Sequence, residues 1–163
     1  MYTHHPHRGI ALLVALIFMS VMLAMGLTLA SLGYKQAVLA SGAVESQHAF
    51  YAADAALECA LYADQQQQAF IYTAHSVVNQ PNPTVCGGVT ATVLPGGYSY
   101  TANRLTFVER MSLDGGTRCA DVTVYKLADG RSYLFAQGYS VACSVVANPA
   151  GARISARGLD ARY

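Results

Sequence analysis

A run of twenty-three residues without a charged side chain, IALLVALIFMSVMLAMGLTLASL from Ile10 to Leu32, constrains this chain more than any other feature. As a helix rising about 1.5 Å per residue it would reach roughly 34 Å, enough to cross a hydrocarbon core about 30 Å thick with some tilt. A core helix of a small water-soluble domain is normally shorter and carries a polar stripe. The run therefore predicts a membrane span. Gly26 and Gly33 interrupt it and Gly42 lies just beyond. Each costs about 1 kcal/mol relative to alanine in a helix interior, and two roles remain open for them: close helix packing through small residues, or a place where the helix can loosen and stretch.

The flanks do not orient the span. Arg8, accompanied by His4, His5 and His7, precedes the run, and Lys35 is the first charge after it, so lysine and arginine stand on both sides. Beyond residue 34 about 130 of the 163 residues remain, enough for one domain with one modest core. Without residues 1–9 the chain carries nine Lys or Arg against nine Asp or Glu, and no overall electrostatic pull toward nucleic acid or anionic lipid follows. Cys59, Cys86, Cys119 and Cys143 are an even number at wide spacings without a CxxC pair. Zinc sites place their ligands in close pairs, so disulfides in an oxidising space beyond the membrane are expected, and no metal.

The leader, MYTHHPHRG, is short, polar and basic and ends in glycine ahead of the apolar run. A secretory signal peptide has its apolar region before the cleavage site and loses it; a cut after Gly9 would keep the helix. A leader ending in Arg8-Gly9, an immediate apolar run, and the alanine-rich AFYAADAALE that follows resemble the N-terminal region of type IV pilins and pseudopilins, most of all the minor pilins. The resemblance is specific from Arg8 to about Asp64. It implies that a prepilin peptidase cuts between Gly9 and Ile10 on the cytoplasmic side and methylates the new N-terminus at Ile10. The remaining partners it implies are other pilin subunits, a pilus or secretion assembly platform and membrane lipid. The head would lie outside the cytoplasmic membrane and later in an extracytoplasmic filament. Most major pilins carry glutamate at the fifth residue after the cut, where this chain has Val14. A charged amine in hydrocarbon costs several kcal/mol unless paired, so the resemblance implies a minor subunit acting at a tip or in initiation.

From Glu45 to Gln65 the pattern turns amphipathic. Phe50, Ala53, Leu57, Ala60 and Leu61 recur at three- and four-residue steps as one apolar stripe, with Gln47, Asp54, Glu58 and Gln65 largely elsewhere. The helix is expected to continue unbroken from the membrane and dock this stripe on a sheet, ending in the polar run Gln65 to Gln68. Strands then follow between turn signals: Val85 to Leu94, ending at Pro95-Gly96-Gly97; Tyr98 to Val108; a turn at Asp114-Gly115-Gly116; and Cys119 to Leu127 with Ser132 to Val141. A type I′ turn at Asp129-Gly130 joins that last pair. Ala152 to Tyr163 supplies a last strand.

The fold class is α+β, a long helix, transmembrane then amphipathic, packed on an antiparallel sheet as in the α/β roll of a pilin head. Its segments are the leader 1–9, the membrane half 10–34, the amphipathic half 35–66 and the β region 67–163. The four cysteines allow three pairings. Cys59 with Cys86 and Cys119 with Cys143 is favoured, although a two-residue turn sets Cys119 opposite Ser140 and the second bond then needs a bulge or a diagonal approach.

Catalytic constellations are thin. There is no HExxH, GxSxG or phosphate-binding glycine loop, and outside the leader the histidines are only His48 and His75. No enzyme activity and no cofactor are expected. Tyr98, Tyr100, Tyr125, Tyr133 and Tyr139 fall in expected strands among Arg104, Arg110, Arg118 and Arg131. Aromatic and basic groups on one face can bind single strands or glycans by stacking, but tyrosine also simply fills half-buried sheet faces, and no binding residue follows. Two alternatives stand beside the minor pilin: a signal-anchored extracytoplasmic binding or adhesion domain, and a DNA-binding tip pilin.

Overall fold

The computed structural model describes residues 8–72 and 82–163. Leader residues 1–7, with their three histidines, and His75 lie outside the described residues. The architecture is α+β: one long N-terminal helix, a five-stranded antiparallel sheet and a small two-stranded sheet. The chain forms two compact units, residues 1–41 and 42–163.

Helix α1 spans Arg8–Gln65 without a break, so the glycines at 26, 33 and 42 do not interrupt it. In the first unit its large apolar side chains, from Ile10 through Leu39, are exposed. The hydroxyls of Ser20, Thr28 and Ser31 each donate to the carbonyl three residues back at 2.8 Å. These few polar groups are satisfied inside the helix itself, which an apolar solvent demands.

In the second unit the same helix buries alanine. Ala49, Ala52, Ala53, Ala56, Ala60 and Ala63 are buried with Leu57 and Cys59, and Leu61 packs against that core from a half-buried position. Phe50 does not belong to the stripe: it is 43% exposed. The reason lies on the sheet. A Cβ at Gly138 would come within 2.1 Å of the Ala49 carbonyl oxygen and 2.3 Å of the Ala53 nitrogen. The helix backbone thus sits directly on a strand at this point, where it presents the small side chains of Ala49, Ala52 and Ala53.

After Gln65 the chain leaves through Gln68 in the left-handed region (φ 51°), with Ala69 N–H donating to the Ala63 carbonyl at 3.0 Å. The expected strand Val85 to Leu94 is replaced by three pieces: β1 (Val85–Cys86), β2 (Val89–Thr90) and the start of β3 (Thr92–Thr101). Gly87 and Gly88, at φ 57° and 81°, make the tight turn between the first two. Pro95-Gly96-Gly97 does not end a strand. It bulges out of β3, between Val93, opposite Glu109, and Tyr98, opposite Phe107. An edge strand tolerates a proline that lacks an N–H, and Gly97 lies where a Cβ would meet the Val108 carbonyl oxygen at 2.5 Å.

Nor is Tyr98 to Val108 one strand. The chain turns at Ala102-Asn103 into β4 (Arg104–Leu113), pairing Thr101 with Arg104. A single 3-10 turn, Asp114–Gly116, leads to β5 (Arg118–Leu127), and β6 (Ser132–Tyr139) follows. Their connection is a three-residue loop, Ala128 to Gly130, in place of the expected type I′ turn. Leu127 N–H donates to Arg131 O, and among the described residues only Gly130 of the loop has positive φ (89°). Cys119 consequently faces Tyr139 rather than Ser140. A short helix α2 (Cys143–Ala147) and strand β7 (Ala156–Arg162) complete the order β3-β4-β5-β6-β7.

The core lies between α1 and the inner face of this sheet, built by Leu105, Phe107, Met111, Val122, Val124, Leu134 and Ala136. At the start of the second unit Ser140 Oγ donates to Glu45 Oε2 at 3.1 Å and Arg157 Nε to Ser46 Oγ at 2.7 Å, fixing the helix to the sheet.

Candidate functional site

The expected processing junction, Gly9 and Ile10, falls in the first turn of α1. Ile10 is 66% and Val14 45% exposed. From Ile10 to Val44 the chain contains no carboxylate and one charge, Lys35. The helix is long and apolar enough to cross a membrane, and none of its most apolar window is buried within the protein. An added Cβ at Gly26, Gly33 or Gly42 would touch nothing within 4 Å, so no contact among the described residues requires these glycines.

The cysteines form two bonds, Cys59–Cys86 and Cys119–Cys143, with Cα separations of 5.9 and 4.8 Å. The first ties the β1–β2 turn to α1. In the second, the chain turns after β6 and α2 brings Cys143 back to the start of β5, so no bulge in the hairpin is needed. The bonds close 27 and 24 residues of chain and leave no free thiol among the described residues. Nor do the described residues contain a cluster of three metal-ligating side chains.

Two buried polar groups escape the sequence pattern. Asp64, at the end of α1, pairs with Lys126 Nζ at 2.5 Å and accepts a hydrogen bond from Tyr163 Oη; Lys126 also donates to Ser132 Oγ at 2.8 Å. Burial, reinforced by the Asp64 carboxylate, pushes the Tyr163 phenol up. Glu109 on β4 is fully buried on the helix-facing side. Its Oε2 accepts the Thr84 backbone N–H at 2.9 Å, and Oε1 has no partner among the described residues. Burial raises its carboxyl above the usual glutamate range, with hydrogen bonding from Thr84 opposing. Neither group carried a signal in the sequence, because their partners lie far away along the chain.

The tyrosines do not share one face. The register puts Tyr98 and Tyr100 on the inner side of the sheet opposite Phe107 and Leu105, whereas Tyr125, Tyr133 and Tyr139 stand on the outer side. There Arg110 grips Asp121 through two bonds of 2.6 and 2.8 Å, and Tyr139 Oη donates to the same carboxylate at 3.1 Å. The Asp121 hydrogen bonds hold the Arg110 guanidinium above its ordinary value. Arg104 approaches the Tyr125 ring and Arg162 the Tyr133 ring. Neither a family model, nor a curated protein, nor a solved structure matches the chain.

Proposed function

We propose that the chain is a minor type IV pilin or pseudopilin, a building block that a prepilin peptidase processes between Gly9 and Ile10. The observation that carries this reading is the state of α1 from Ile10 to Leu39: one helix whose leucines, methionines and phenylalanine are exposed and whose serine and threonine hydroxyls are internally bonded. Such a surface needs lipid first and a protein partner of equal apolarity later. The resemblance of Arg8 to Asp64 to the pilin N-terminus supplies the second support, and an antiparallel head held by two disulfides suits an α/β roll outside the cytoplasm.

On this reading the N-terminus faces the cytoplasm, the chain waits in the membrane, and an assembly platform draws it into a filament by helix packing with other pilin subunits. Val14, placed where most major pilins carry a carboxylate, leaves the new terminal amine without that partner, which favours a tip or initiating position over the bulk of the stack. Replacing Gly9 with leucine tests the reading. Processing and assembly are lost if Gly9 is the cleavage residue; an unchanged protein would instead favour a signal-anchored domain that never enters a filament.

A further inference from the structure

The outer face of the sheet divides into two halves. At one end the Arg110–Asp121–Tyr139 network locks β4, β5 and β6 together and satisfies its own charges. At the other, aromatic rings line up where a wetted sheet face would ordinarily carry polar side chains. Tyr125 and Tyr133 stand directly opposite each other on β5 and β6. Phe135 follows on the same face of β6, 41% exposed, and its ring lies over Gly158, where a Cβ would come within 2.9 Å of it.

Arg104 flanks the Tyr125 ring at 5.3 Å and Arg162 the Tyr133 ring at 5.7 Å. Both guanidinia lie over the rings within the roughly 6 Å of a cation–π contact, so a ligand that stacks here shares the aromatic faces with them. The groove lined by these aromatics with Asp160 and Arg162 has a volume of about 410 Å³, within the size range of small-ligand sites.

We propose that this groove binds a neutral oligosaccharide, the C–H faces of its sugar rings stacked on Tyr125, Tyr133 and Phe135 and its hydroxyls bonded to Asp160, Arg162 and Arg104. Charge decides the class of ligand. Arg162 is paired with Asp160 at 3.1 Å and Arg131, beside Tyr133, with Asp129 at 2.5 Å. Among the described residues Arg104 alone of this strip's arginines has no carboxylate partner, so the net charge is one positive. A nucleic acid brings a phosphate with every nucleotide and needs cations in proportion, and two exposed carboxylates would repel it. A sugar presents an apolar, weakly positive C–H face to the negative face of an aromatic ring, and its rim hydroxyls both donate and accept. Aromatic rings flanked by an Arg–Asp pair offer both kinds of contact. The site belongs to the second unit alone and stands whether or not the chain enters a filament.

The test uses the full chain, disulfides intact, in a detergent without a sugar headgroup, applied to an array of immobilised neutral and acidic oligosaccharides with a poly-dT oligonucleotide alongside. Retention on a neutral oligosaccharide, unaffected by salt, is expected. Tyr133→Ala and Phe135→Ala should each weaken it about tenfold or more, while Gln137→Ala, on the same face of β6 beyond the rings, leaves it unchanged. Phe135 is exposed enough for its alanine variant to fold even if the Tyr133 variant does not. The proposal is overturned if no neutral oligosaccharide is retained, if both alanine variants bind as the parent does, or if retention is confined to poly-dT or acidic sugars and disappears with salt.

Discussion

Two stretches of one helix, residues 10–39 and 49–63, handle apolar surface in opposite ways. The first displays leucine, isoleucine, methionine and phenylalanine with nothing among the described residues to cover them; the second is rich in alanine and buries all of it but Ala55. Side-chain size follows the partner. Against lipid or a neighbouring helix a large side chain gains contact, whereas α1 comes so close to Gly138 that the strand has no room there for even one methyl group. The amount of apolar surface therefore does not distinguish the halves; where the partner comes from does.

The sharpest way to break the comparison is Gly138→Val. Its Cβ would collide with backbone atoms of α1, which cannot rotate away, so the cost should exceed the about 1–3 kcal/mol of ordinary overpacking. Limited proteolysis is expected to find the second unit degraded while the first still partitions into membranes. Removing one bond with Cys59→Ser and Cys86→Ser acts on the same unit through chain entropy. With 27 residues released, the loss should be about 3–4 kcal/mol, seen as a lower denaturant midpoint.

Leu23→Arg does the reverse. An arginine near the centre of the span costs about 3 kcal/mol on insertion, so carbonate-resistant membrane association falls while the denaturant midpoint of the second unit stays put. Glu109→Gln is the smallest change and sharpens the account of the core. Because burial raises the folded carboxyl above its unfolded value, the parent is most stable below the unfolded pKa and loses stability as pH rises through the folded one. The glutamine variant should flatten that slope and gain about 1 kcal/mol at neutral pH, measured by denaturation across pH.

The sequence reveals different parts of the molecule to different degrees, for physical reasons. The span is legible because no carboxylate occurs before Glu45 and only Lys35 carries charge between Ile10 and Glu45. Phe50 misleads because periodicity weighs bulk, while the close approach of Ala49, Ala52 and Ala53 to Gly138 favours small side chains at that end of the stripe. The turn at Ala102-Asn103 leaves no glycine or proline signal, since neither residue takes positive φ, and so two strands read as one. Pro95-Gly96-Gly97 does announce a departure from regular strand, but an edge strand can absorb it as a bulge. At the candidate sites the pattern is similar. Gly9, Ile10 and Val14 are local in the sequence and stand out there. Asp64 meets a tyrosine 99 residues away, Glu109 a threonine 25 residues away, and the outer aromatic row needs the register of β5, β6 and β7 before its members become neighbours.

The central claim is that α1 begins its working life at Ile10. Mass spectrometry of the mature chain, from cells with an active prepilin peptidase, tests it most directly. The expected product has its N-terminus at Ile10, carries one methyl group and has both disulfides oxidised. A chain that begins at Met1 in the same cells, or one cut after the apolar run, would contradict it.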